Sequence, residues 1–322
     1  MLELKNIDHC FRTKSNHILF QLSRINIKFP DKGMFLIYGK SGSGKSTILN
    51  IITGKLKPER GIIKYNNTPY DAFTNKEKES LFTLEITTVP QDIELIEELT
   101  IEDNINFFLK LANKNVSQEK IAIELENLDI DPSFLYKYPR ELSSGEKQRI
   151  ALLRCVLLDS NVLVVDEPTS RVDEENTKKL FAYLKKIADN GKLVIVASHD
   201  TDEIQEFIDG SIEIDDGEIV QNTLNFDNYK TDKKFIPKKL NLIHLLKLPF
   251  INLKYKCSKF VGFSIATILS LLISFISINI TNTNYIEASN EFILNSHPEL
   301  GINVVDKDIT NFDDIMMDKI WW

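Results

Sequence analysis

Positions 39–46 read Gly39-Lys40-Ser41-Gly42-Ser43-Gly44-Lys45-Ser46. Glycines at this spacing let a backbone curl until several N–H groups converge on one point, and the start of a following helix adds its own donors. Such a nest holds phosphate oxygens, with Lys45 reaching the β- and γ-phosphates and the Ser46 hydroxyl able to ligate Mg²⁺. Far downstream, Val162-Leu163-Val164-Val165-Asp166-Glu167 is an apolar run ending in two carboxylates. Asp166 emerges where strands of open α/β sheets present ligand sites and can hold Mg²⁺ or its waters. Glu167 is the natural group to polarise an attacking water. An acidic pair at a strand end is also what a helix N-cap or a solvated turn looks like; the phosphate loop upstream turns the reading toward phosphoryl transfer.

The elements that must carry these residues follow from periodicity. Residues 1–37 alternate as strands do, and Met34-Phe35-Leu36-Ile37 runs into the Gly/Ser loop, followed by the helical Thr47–Ile52. That is strand, phosphate loop, helix. Lys57-Pro58-Glu59-Arg60-Gly61 reads as a turn, with Ile62–Tyr65 as the strand returning from it. Helical spacing prevails from Ile101 to Leu158, broken at Asp131-Pro132 and Pro139. Val162–Val165 and Leu193–Ala197 are almost continuously apolar, as in a parallel sheet covered on both faces, and Glu174–Asp189 between them reads as a helix. Ser211–Val220 reads as a hairpin closing on Asp216-Gly217.

Leu142-Ser143-Ser144-Gly145-Glu146-Lys147-Gln148-Arg149 lies between the phosphate loop and the acidic strand. It resembles the L-S-G-G-Q signature of ATP-binding cassette (ABC) proteins, with Ser144 in place of a glycine and Glu146 in place of the final glutamine. A Ser–Gly pair opening a helix is a second anion-binding N-terminus, and Ser143 with Glu146 also satisfies a plain capping box. Other landmarks of the family fall in order. Gln91 matches the Q-loop glutamine, a Mg²⁺ and water contact; His199 matches the switch histidine at the γ-phosphate. Asp173 matches the D-loop, although Arg171 and Val172 depart from its usual pair. Phe11 stands where the family places an aromatic under adenine, a position a core phenylalanine could equally fill. The resemblance covers residues 1 to about 222.

This resemblance implies an α/β fold: a P-loop NTPase core of RecA type, an antiparallel β subdomain and a helical signature subdomain, with ATP and Mg²⁺ as cofactors. Gly39, Ser41, Gly42, Gly44, Lys45, Ser46, Thr47, Phe11 and Asp173 are the expected nucleotide contacts. Ser46, Gln91 and Asp166 are the expected metal contacts, and Glu167, His199 and Gln91 the expected catalytic groups. It also implies a cassette dimer in which Ser143 and Gly145 complete the partner's γ-phosphate cage, so that hydrolysis depends on assembly.

Charge and composition bear on the rest. A net charge of −8 argues against a nucleic-acid binder, and no nucleic-acid partner is expected. The charge is unevenly placed: residues 230–259 hold nine lysines against one acid, whereas residues 260–322 hold eight acids against two lysines. Cys10, Cys155 and Cys257 are too scattered for a zinc site or a disulfide framework and suit a reducing compartment. The N-terminal MLELKNIDHC carries no signal-peptide run, which places the start of the chain in the cytoplasm.

Residues 223–257 read as a basic amphipathic connector, with Leu240, Ile243 and Leu246 among Lys238, Lys239 and Lys247. Phe260–Ile280 carries no charge and one amide, Asn279. As a helix it would be roughly 31 Å long, about the hydrocarbon thickness of a bilayer. Lys254, Lys256 and Lys259 precede it, and the next lysine is Lys307, the asymmetry of a span whose N-terminal side is cytoplasmic. We expect a transmembrane helix at 258–281 and the start of an extracytoplasmic segment at 282–322. A cassette N-terminal to a membrane span is similar to the macrolide-exporter and lipoprotein-release group of bacterial ABC proteins. That group implies a single-pass arrangement at the cell membrane, a permease part that is truncated here or supplied separately, and export of a peptide, drug or lipid-like substrate. A mechanotransmission subunit that moves an extracytoplasmic element shares every cassette residue. A chromosome-maintenance ATPase does not fit, because the stretch from Ser46 to Leu142 lacks the sustained heptads of a coiled coil.

Overall fold

The computed structural model describes residues 1–93, 95–168, 174–199, 201, 204–224, 235–241 and 267–274. Strands β1 (Leu2–Arg12) and β2 (Ile18–Phe29) pair antiparallel, and β3 (Gly33–Tyr38) leads through the Gly/Ser loop into helix α1 (Lys45–Ile52). Strand β4 (Arg60–Tyr65) returns beside β1 and the short β5 (Thr68–Pro69) beside β4, giving a four-stranded sheet ordered β2-β1-β4-β5. Next come α2 (Asn75–Ser80), β6 (Ile86–Val89), and three helices, α3 (Ile101–Leu111), α4 (Gln118–Asn127) and α5 (Ser144–Leu157). Pro132 and Pro139 open short 3₁₀ turns between α4 and α5, where the sequence breaks were expected. Strand β7 (Val162–Asp166), helix α6 (Glu174–Asp189), β8 (Leu193–Ser198) and the hairpin β9 (Gly210–Asp215)–β10 (Glu218–Asn222) follow. The second sheet is ordered β10-β9-β3-β8-β7-β6 and is parallel except for the β9–β10 hairpin.

Successive side chains of a strand point to opposite faces, so a strand buried on both faces must be apolar throughout. Here the two faces feed two separate cores. Met34, Leu36, Leu163, Val165, Val194 and Val196 pack among the helices. Their neighbours Phe35, Ile37, Val162, Val164, Leu193 and Ile195 pack against α1 and the four-stranded sheet. This accounts for the unbroken hydrophobic runs of β3, β7 and β8.

The hairpin closes on Asp216-Gly217, both with positive φ (45° and 79°), the twist that a two-residue turn between right-handed strands demands. The turn also ties the two sheets to the phosphate loop. Gly217 N–H donates to the Ser43 carbonyl at 3.1 Å, and its own carbonyl accepts from Ser23 N–H at 3.0 Å. A Cβ at position 217 would lie 1.8 Å from the Gln21 carbonyl oxygen, and one at Gly39 would lie 2.0 Å from that of Ile214.

Residues 223–257 were expected to form a connector, yet the described part of it is seated on the cassette. Phe235 meets Phe73 and Tyr65 edge-on at 5.5 and 6.0 Å. Lys238 N–H donates to Ser80 Oγ at 2.8 Å, Asn113 Nδ2 donates to the Lys239 carbonyl at 2.9 Å, and Asn241 N–H donates to the Leu111 carbonyl at 2.8 Å. Leu240 packs on the helix-side core. Ile243 and Leu246 lie outside the described residues.

The chain divides into two units, Met1–Asn252 and Leu253–Trp322. In the second, residues 267–274 are helical, and the remainder of the expected span lies outside the described residues. Among the described residues no helix is long and apolar enough to cross a membrane.

Gly217→Ala should destabilise the cassette by about 2 kcal/mol or more, since a left-handed φ costs an L-residue roughly 1–2 kcal/mol before any clash. Urea unfolding monitored by circular dichroism checks this, and an unshifted midpoint would show that the turn does not bear on the sheets.

Candidate functional site

The parallel register brings the expected residues to one edge of the second sheet. Val89 is level with Val165, Asp166 with Ala197, and Tyr38 with Ser198. The carboxyl ends of β6, β7, β8 and β3 therefore deliver Gln91, Asp166 with Glu167, His199 and the Gly39–Ser46 loop side by side. This is the end of an open α/β sheet at which ligands bind.

Helix α1 is built to receive an anion. Thr74, Thr100, Ser117 and Ser143 each cap the helix that follows with a side-chain oxygen. Gly44, the N-cap of α1, supplies no side-chain bond, and no acid stands in the first turn of α1. The N–H groups at the start of α1 are thus left for an outside acceptor. Lys45 sits at that same positive helix end, which favours negative charge nearby. It is buried, at 6% exposure, and its Nζ donates to the carbonyls of Gly39 (2.7 Å) and Lys40 (3.0 Å). Ser41, Gly42 and Ser46 are exposed around it and Thr47 is half-buried. The buried Ser43 Oγ has no hydrogen-bond partner. An oxyanion seated over α1 would use donors that the fold leaves unspent.

Ser46 Oγ lies 3.4 Å from Asp166 Oδ1. Two hard oxygens in this position suit Mg²⁺, which takes few protein ligands and completes its shell with water and phosphate. Among the described residues no group of three or more His, Cys, Asp or Glu side chains could hold a metal ion. Burial pushes the Asp166 carboxyl above the usual carboxylate range; the Ser46 hydroxyl opposes the shift and the Glu167 charge adds to it. A cation beside it would relieve that cost.

Glu167 is held more tightly than its position after a strand would require. It is 9% exposed, with φ at +49°, a left-handed backbone that costs a non-glycine residue about 1–2 kcal/mol. Its N–H donates to the Ala197 carbonyl at 2.9 Å. One carboxylate oxygen is 2.7 Å from His199 Nδ1, and the other is 3.9 Å from Lys45 Nζ. The carboxylate thus faces the phosphate loop with a histidine alongside, as a base that must keep its bearing needs.

The other expected residues are placed less directly. Gln91 follows β6 and is exposed. Phe11 is 39% exposed on β1, directly opposite Phe20 on β2, with ring centroids 6.4 Å apart. Phe20, which sequence reasoning missed, reaches the backbone of Gly44: a Cβ there would lie 2.7 Å from its ring. The cross-strand pairing of Phe11 and Phe20 is the signal that could have found it. Ser143 and Gly145 open α5, where Ser143 is engaged by its own helix: its N–H and hydroxyl donate to Glu146 at 2.7 and 2.8 Å. Burial opposes ionisation of Glu146, but these two bonds, together with the nearby Arg149 and Lys137 charges, hold the carboxyl below the usual range. Asp173, with Arg171 and Val172, lies outside the described residues.

Comparison with known proteins bears on the family and the fold. The ABC transporter family model matches residues 22–170. The chain is 30% identical over 254 residues to the methionine import ATP-binding protein MetN of Coxiella burnetii, covering 78% of this chain and 72% of that one. It is 32% identical over 193 residues to the molybdenum import ATP-binding protein ModC of Haemophilus influenzae, covering 60% of this chain and 54% of the relative. The chain thus spans little more than half the length of that relative. Among solved structures, the ATP-binding cassette MJ0796, in a dimeric post-hydrolysis state bound to ADP and Pi, superposes with a TM-score of 0.62 at 28% identity, over 73% of this chain and all of that one.

Lys45→Ala should weaken binding of a fluorescent ATP analogue by at least about tenfold, since it removes a charge-assisted bond to phosphate. Titration of the full chain checks this, and unchanged affinity would contradict the phosphate loop.

Proposed function

The chain belongs to the ABC transporter ATPases, and from that premise we propose that residues 1–222 bind ATP with Mg²⁺ and hydrolyse it to drive work at a membrane. One observation carries the reading: Lys45, Ser46, Asp166, Glu167 and His199 meet at one edge of the parallel sheet, over a helix with no cap of its own. In this reading the loop N–H groups and Lys45 hold the phosphates, while Ser46 and Asp166 hold the metal. Bound Mg²⁺ supplies charge neutralisation on the phosphate oxygens. Glu167 accepts a proton from the attacking water, His199 steadies the carboxylate and faces the γ-phosphate, and Gln91 reaches in from the neighbouring strand. Phe11, with Phe20 behind it, supports the adenine. Asp173, at the D-loop position, is read as a further nucleotide contact.

The dimeric state of the MJ0796 cassette supports a composite site in which Ser143 and Gly145 of one copy serve the nucleotide of another. Before they can do so, the Ser143 hydroxyl must exchange its bond to Glu146 for one to phosphate, because a serine has a single O–H to donate.

We infer that the work is export through a permease part, with the chain anchored once in the cell membrane. Support comes from the order along the chain: a cassette, the lysine-rich block 230–259, then the uncharged run 260–280. Import is what the printed names of ModC and MetN assign to those proteins.

Glu167→Gln should retain ATP binding and lose steady-state hydrolysis, by a factor on the order of 10² or more for a general base; phosphate release at the wild-type rate would remove Glu167 from that role. In membrane fractionation, the full chain should pellet and need detergent for release. Recovery wholly in the detergent-free supernatant would rule out the span.

A further inference from the structure

Gln148 lies two residues past the five signature positions Leu142–Glu146, and no role was assigned to it above. It lies on α5, one helical turn after Ser144, so the two share a face of the helix whose first turn carries Ser143 and Gly145. It is buried, at 5% exposure, and its side-chain amide donates to the backbone carbonyl of Glu167 at 3.3 Å. Glu167 is therefore gripped at three points. Its N–H is tied to β8, its carboxylate is beside His199, and its carbonyl is tied to α5. Of these holds, only the last comes from outside the sheet edge. It acts on the residue whose φ of +49° is the least relaxed for its type in the site. A left-handed glutamate persists only where its surroundings over-determine it. Without that donor the Glu167 carbonyl would lose one of its holds, and the backbone that aims the carboxylate at Lys45 and His199 would be less constrained.

We propose that Gln148 is a positioning residue for Glu167, holding the base in its left-handed backbone and making its aim depend on how α5 is seated. The proposal rests on the reading of Glu167 as the base. Because α5 is a rigid element that starts at Ser143 and Gly145, any tilt imposed at its first turn arrives at the Glu167 carbonyl through Gln148. A buried glutamine that merely satisfies a carbonyl would contribute to stability and nothing else, so the test must separate chemistry from folding.

In the full chain, Gln148→Leu keeps the side-chain size and removes the donor; Gln148→Ala serves as a second variant should leucine disturb packing. We expect kcat for ATP to fall by roughly tenfold to a hundredfold, the loss that a misplaced catalytic group produces. KM and the affinity for a fluorescent ATP analogue should stay within about twofold, since nothing at the phosphate loop changes. Unchanged kcat in both variants would overturn the proposal. So would a parallel loss of nucleotide affinity and melting temperature, which is the signature of a structural role alone. Glu167→Gln is measured alongside. Full hydrolysis by that variant removes the base reading itself, whereas its inactivity together with normal Gln148 variants removes only the role of Gln148.

Discussion

Where the β9–β10 turn meets the phosphate loop, two pieces of backbone touch with no side chain between them. Gly217 bonds to Ser43 on one side and to Ser23 on the other, and Gly39 lies against the Ile214 carbonyl. The contact joins the antiparallel sheet, the parallel sheet and the loop in one place. It fixes where α1 begins and hence where its free N–H groups point. Lys45, Ser46 and the carboxylates opposite them inherit their positions from it. Without this interlock the loop would keep its composition and lose its aim.

Much of this was legible in the residues. The apolar runs of β3, β7 and β8 announced a sheet covered on both faces, and the structure supplies the reason: alternate side chains enter two different cores. The hairpin at Asp216-Gly217, the breaks at Pro132 and Pro139, and the strand–loop–helix around Lys45 all follow from local chemistry that acts over a few residues. What could not be read was set by distant contacts. Nothing around Glu167 signals a positive φ, because that backbone is imposed by Ala197 and by α5. Phe20 becomes visible only once the register of β1 and β2 is known. Lysines among spaced apolar residues made residues 235–241 look like a linker, although Phe235, Leu240 and a few backbone bonds are enough to seat them.

The contrast between α1 and α5 shows how one principle is used in two ways. Both helices begin at positions suited to an anion. At α1 the cap is a glycine and the charge nearby is Lys45, so the end stays open and positive. At α5 the cap is Ser143 and the nearby charge is Glu146, which already bonds to the end of its own helix. A carboxylate at a helix N-terminus stabilises that helix, and it also stands in the place of whatever anion would come from outside. The two ends therefore differ in what must happen before a ligand is held, one having no cap of its own and the other being self-satisfied.

Residues 235–241 carry the chain across the cassette. Strand β10 ends at one margin of the parallel sheet, whereas Asn241 is fastened to the end of α3, within the helical layer. A tug at residue 241 would therefore load α3 first and reach the hairpin only after those fastenings had let go. In mechanical terms the strap is a second anchor: a load applied at Asn241 is taken up by the helical layer, and the hairpin that steadies the phosphate loop is spared the strain.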